Sequence, residues 1–141
     1  MDWDKYFIKM ALEVAKASTC LRRNYGAVIV KDYSIVASGY NGAVRSEMGC
    51  IEKNSCARDI LREKKGEVYN ICNGIHAEMR VIMGIGRQGC KGATLYIASV
   101  VPTTGELFDV LPCELCARII KESDLARVYG HNKKGEIICL S

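Results

Sequence analysis

Apolar and polar positions alternate in distinct ways along the chain, and each pattern predicts an element. Trp3, Phe7, Met10 and Val14 recur at steps of four, three and four, one face of an amphipathic helix ending near Ser18. Two short apolar runs follow, "YGAVIVK" and "SIVASGY", separated by the polar pair Asp32–Tyr33, and these read as strands joined by a tight turn. A long segment from Asn41 lacks sustained periodicity, apart from a short helical stretch "ARDILREK". Helical spacing returns at "HAEMRVI" and breaks at Gly84–Gly86. "ATLYIAS" is then a strand, "PCELCARIIKES" a helix, and "ARVYGH" and "EIICLS" two closing strands. Only "NKKG" joins the last pair, far too little for a parallel crossover, so they are expected to form an antiparallel hairpin. Between the third strand and the third long helix, "VVPTTGELFDV" reads as an extended hairpin turning at "PTTG". The sum is an α/β fold: a three-layer α/β/α sandwich around one mixed five-stranded sheet.

Composition narrows the class. With 141 residues, 49% of them apolar and 26% charged, the chain has the make-up of one globular domain spanning 1–141. No apolar run nears the ~20 residues of a membrane span, and "MDWDKYF" lacks the layout of a signal peptide, so a cytoplasmic protein without membrane partners is expected. The net charge of +4 is modest and dispersed. It suits an anionic small molecule better than nucleic acid, which calls for a basic groove with stacking aromatics. Eight cysteines are the unusual feature, and in a reducing compartment such a load points to metal or catalysis rather than to disulfides.

Two short stretches carry the chemistry. In "PCELC", Cys113 and Cys116 stand at i and i+3, which puts both sulfurs on one helix face, and Pro112 suits the first turn. A helix N-terminus favours thiolates and so prepares them for metal. In "GIHAEM", His76 also stands at a helix start. If the two helix ends abut, His76, Cys113 and Cys116 form a three-ligand Zn²⁺ site whose fourth position is left to water, the arrangement of a catalytic rather than a closed structural zinc. Glu78 is then placed to work on that water as general acid/base. Taken singly, the cysteine pair reads as a redox couple and the histidine as a helix cap. Together and in this order they match a known signature, histidine-x-glutamate followed by proline-cysteine-x-x-cysteine, that of zinc deaminases.

At these motifs the chain resembles the cytidine/deoxycytidylate deaminase superfamily, most closely the deoxycytidylate (dCMP) deaminases. The likeness runs from about Trp3 to Tyr129 and includes "STCLRR", "GAVIV", "SGYNGA", the Cys56–Cys72 segment, "HAEM", "GATLYIA" and "PCELC". It implies zinc on His76, Cys113 and Cys116, Glu78 as proton shuttle, and hydrolytic deamination of dCMP to dUMP with release of ammonia. It further implies that Arg22 holds the substrate phosphate and that Asn41 contacts the sugar–phosphate part, roles that a charge-assisted donor and an amide can fill. Several relatives carry a second, structural zinc held by residues of the same segments, which here would be Cys20, Cys50, Cys56 and Cys72. Many relatives have asparagine where this chain has Arg80. Cys90 and Cys139 receive no role. The alternatives are a deaminase of another free base or nucleoside such as cytidine or deoxycytidine, a nucleic-acid-editing deaminase, and a zinc-binding protein without turnover. Finally, Leu107 and Phe108 alternate on opposite faces of the insertion, so one domain is expected to cover only one of them. Together with the superfamily's habit of assembling, this predicts a homo-oligomer.

Overall fold

The computed structural model describes residues 1–56, 72 and 74–141. The expected helix at "ARDILREK" lies outside the described residues. In chain order the elements are α1 (Trp3–Ala15), β1 (Asn24–Lys31), β2 (Ser34–Tyr40), β3 (Gly42–Ala43), α2 (Cys50–Lys53) and β4 (Gly74–Ile75). There follow α3 (Ala77–Cys90), β5 (Thr94–Val100), α4 (Glu114–Glu122), β6 (Arg127–His131) and β7 (Ile137–Cys139).

Five strands make one mixed sheet in the order β2-β1-β5-β6-β7. The β1–β2, β1–β5 and β6–β7 pairs are antiparallel and β5–β6 is parallel, so the closing hairpin forms as its short link requires. Beside the sheet, β3 and β4 form a small antiparallel pair, Gly42 opposite Ile75 and Ala43 opposite Gly74. β1 is buried on both faces because its alternate side chains feed two cores. Ala27 and Ile29 join Leu95, Ile97, Val128, Val81 and Ile120 under α3 and α4. Val28 and Val30 join Tyr96, Ala98, Phe7, Ile8 and Ala11 under α1. That is the three-layer sandwich, and the continuous apolar run "AVIV" is its sequence trace.

Helix α1 departs from its expected register. Phe7, Ile8, Ala11 and Ala15 are buried, while Trp3 and Met10 are exposed. The reason lies in how closely the helix approaches the sheet. A Cβ on Gly26 of β1 would run into the Ala11 carbonyl and the Ala15 amide, so this face accepts only small residues. The large side chains of the expected stripe sit on its flanks. Asp2 caps the helix through Lys5 N–H, 3.2 Å, and Tyr96 on β5 donates to Asp4, 2.6 Å, fixing the helix end to the sheet.

The insertion between β5 and α4 folds back on its own chain. Its hairpin reduces to one bridge, Val100 with Leu107, closed by Val101 N–H to the Glu106 carbonyl, 2.8 Å. Leu107 packs toward Gly135 in the β6–β7 turn, and Phe108 lies beneath the Arg23 guanidinium, 4.0 Å from ring centroid to Cζ. Both side chains are half-buried within one chain, contrary to the expectation that only one would be covered. The β6–β7 turn supplies the second cover, which a strand-alternation argument leaves out. Among the described residues no helix is long and apolar enough to cross a membrane, and all eight cysteines are unpaired.

Candidate active site

Two helix N-termini meet at one end of the sheet, and each is capped by a candidate metal ligand. His76 is the N-cap of α3, in extended backbone, and its side chain makes no capping bond. Cys113 is the N-cap of α4, and its Sγ accepts from Cys116 N–H, 3.4 Å. Pro112 therefore precedes the cap instead of occupying the first turn; the thiol takes the capping task. His76 Nδ1 lies 3.6 Å from Cys113 Sγ and 3.3 Å from Cys116 Sγ. Among the described residues these three form the group of metal-ligating side chains whose donor atoms all fall within 4.8 Å of one another.

Electrostatics argue for a cation here. Cys116 is fully buried, and burial first, then the neighbouring charges of Glu78 and Cys113, pushes its thiol well above the ordinary range. Glu78 is 4% exposed and is also pushed up, chiefly by burial, although its backbone contact, His76 and Cys116 act in the opposite direction. Burial thus disfavours the charged forms of Cys116 and Glu78, and a divalent ion bound here would favour them. One imidazole and two sulfurs are the donor set that Zn²⁺ prefers with an open fourth position.

A cavity of about 280 Å³ opens from this corner. His76, Glu78 and Cys113 line it together with Arg22, Arg23, Tyr25 and Asn41. Arg22 lines the cavity and is exposed. Asn41 is placed by the β3–β4 pair next to His76, but its amide is engaged with the backbone. Tyr25 N–H donates to Oδ1, 2.8 Å, and Nδ2 donates to the Arg23 carbonyl, 2.9 Å. Asn41 thus braces the segment that carries both arginines, and only its remaining hydrogen-bond capacity is left for a ligand. Sequence reasoning missed Arg23, Tyr25 and Leu111, the last 77% exposed and also lining the cavity. The doubled arginine of "LRR" was a signal for the first; nothing in the sequence marked the others.

The second histidine is a different case. His131 is 1% exposed, accepts from Ser99 N–H at Nε2, 3.1 Å, and donates from Nδ1 to the Asn132 carbonyl, 2.9 Å. Both nitrogens are satisfied inside the sheet, and it takes no part in the site.

The four remaining candidate ligands are drawn to one neighbourhood without reaching the spacing of the first three. Burial raises the Cys50 thiol, and the charges of Cys20, Cys56 and Cys72 raise it further. Cys20 Sγ accepts from Arg22 N–H and Cys72 Sγ from Gly74 N–H, each at 3.4 Å.

A mixed sheet with paired helix N-termini at one end, a buried carboxylate and an imidazole–dithiol cluster define a zinc-dependent hydrolytic deaminase. Comparison with known proteins agrees. The family model for the cytidine and deoxycytidylate deaminase zinc-binding region matches residues 1–132, and the chain belongs to that family. It is 35% identical over 132 residues to the deoxycytidylate deaminase of Mycobacterium phage D29, covering 90% of this chain and 92% of that one. It is 32% identical over 130 residues to the deoxycytidylate deaminase of Schizosaccharomyces pombe, covering 92% of this chain but 37% of the yeast protein. The crystal structure of dCMP deaminase from cyanophage S-TIM5 in complex with dCMP and dUMP superposes with a TM-score of 0.64 at 22% identity, over 91% of this chain and 79% of that one, which shows a shared fold.

Proposed function

We propose that this protein deaminates dCMP to dUMP, releasing ammonia. The observation that carries the reading is the placement of buried Glu78 beside the His76, Cys113 and Cys116 donors, in a cavity that also holds two arginines. The relatives named deoxycytidylate deaminase support the choice of substrate. His76, Cys113 and Cys116 would hold zinc, which would supply Lewis-acid activation of water near neutral pH. Glu78 accepts the proton released as water adds at C4 of the pyrimidine and delivers it to ring N3. It then takes the second proton from the C4 hydroxyl and passes it to the amine, so that the C4–N bond breaks, ammonia leaves and the C4 carbonyl forms. Burial suits this task, because it raises the proton affinity of the carboxylate and so favours taking a proton from water. Arg22 and Arg23 offer guanidinium donors for a phosphate, and Asn41 holds their segment in place.

Ultraviolet absorbance with purified, zinc-loaded protein tests the substrate. dCMP is expected to be turned over, with deoxycytidine, cytidine, guanine and a single-stranded oligonucleotide far behind. Equal or faster turnover of deoxycytidine would overturn the nucleotide assignment and leave a nucleoside deaminase.

Cys20, Cys50, Cys56 and Cys72 are proposed to hold a second, structural zinc, supported by their shared neighbourhood and by the two amide–sulfur contacts. A homo-oligomer is also proposed. Its support is a set of exposed apolar side chains on α1, the β1–β2 turn and the edge strand β2: Trp3 packs on Tyr33 at 5.0 Å between centroids, and Ile35 and Val36 are exposed. Light scattering at micromolar concentration is expected to give a multiple of the chain mass, and Val36→Lys to lower it. A monomeric wild type would exclude the assembly.

A further inference from the structure

Arg80 is two positions beyond Glu78 on α3, and its side chain does not line the cavity. It reaches instead to Gly42 and Ala43, which do line it. One terminal nitrogen donates to the Gly42 carbonyl, 3.2 Å, and to the Ala43 carbonyl, 3.1 Å, while the guanidinium lies over the Tyr40 ring, 4.9 Å from its centroid. Gly42 and Ala43 are β3, whose partner β4 leads directly into His76. The same strand is held from the far side by Thr19, whose hydroxyl accepts from Ala43 N–H at 3.1 Å and would crowd any Cβ on Gly42. Next along the chain stands Asn41, which ties the Arg23 carbonyl and the Tyr25 amide.

These contacts form one mechanical path. The helix that carries Glu78 grips the strand that lies beside His76, and that strand places the brace under the two arginines. A charged donor on two carbonyls is stronger than a neutral contact, and a path this short leaves little room for the wall to drift. We infer that Arg80 is a positioning residue. It fixes the distance between the proton-transfer side of the cavity and the side that receives the sugar–phosphate, and so sets how well the nucleotide is held rather than how fast it reacts. The inference rests on the proposed function for its substrate.

Arg80→Ala in the zinc-loaded protein is expected to raise KM for dCMP by about tenfold or more, because small misplacements of a bound substrate are costly. The same variant is expected to keep kcat within about threefold and the zinc content unchanged. Arg80→Lys keeps the charge and the stem but loses the planar fork, and is expected to fall between wild type and Arg80→Ala; it also serves where the alanine variant fails to fold. Amide exchange at Ala43 and Ile75 needs no substrate and is expected to speed up in both variants. Wild-type protein inactive on dCMP would defeat the substrate reading, while the exchange data would still report on the clamp. Unchanged exchange and unchanged KM, or a loss confined to kcat, would overturn the inference.

Discussion

Glu78→Gln is expected to lose turnover of dCMP by about 10³- to 10⁴-fold, the share that a well-placed proton-transfer group contributes. That corresponds to about 4 to 5.5 kcal/mol of barrier. The loss should fall on kcat, since glutamine fills the same volume and hydrogen-bonds without accepting a proton. Zinc content should stay at the wild-type value, because Glu78 is no part of the His76, Cys113 and Cys116 group. Removing the carboxylate also relieves the like charge that raises the Cys116 thiol, so the variant should bind metal no worse than wild type. Elemental analysis with steady-state kinetics on the same preparation reads both quantities. Turnover above about a tenth of wild type would rule Glu78 out as the proton carrier, for no carboxamide can take that role.

Why this site could be read from the sequence follows from its construction. Metal chemistry imposes local spacing: Cys113 as cap and Cys116 three residues on must share a face whatever the rest of the chain does. His76 and Glu78 likewise stand together on one helix start, so only the meeting of two helix ends had to be inferred. The sheet was legible for a similar reason, since a strand buried on both faces leaves an unbroken apolar run in "AVIV". What escaped depends on distance through space. The burial of Ala11 and Ala15 in place of Trp3 and Met10 is decided by a glycine on another element. Arg23 over Phe108 joins residues more than eighty positions apart. Asn41 was read as a substrate contact, yet its amide is spent largely on backbone, which no residue type announces. Arg80 was visible only as an unusual residue two places after Glu78, and its grip on Gly42 and Ala43 needed coordinates.

Cys116→Ala and Cys72→Ser are expected to lose the same amount of metal and to differ in everything else. With two ions in the wild type, each variant should retain about one zinc per chain. Cys116 is fully buried at the third position of α4, and replacing it leaves an imidazole and one thiol, too few donors for a catalytic site. Turnover should fall to background. Cys72 lies two residues before the β4 strand that leads to His76, and its sulfur is held by Gly74 N–H. Its loss should leave turnover largely intact while lowering the melting temperature. Structural zinc in small peptides supplies about 10 to 16 kcal/mol of apparent binding energy, and in this chain it would tie α2 and the start of β1 to the approach to β4. The cost should therefore appear in stability, and in catalysis only as far as the β3–β4 wall loosens. A wild-type count near one, unchanged by Cys72→Ser, would remove the second ion and leave the first untouched. A count near two that falls in Cys72→Ser together with all turnover would instead mean that the two sites are not separable, and that the cysteine cluster helps to hold His76 in place.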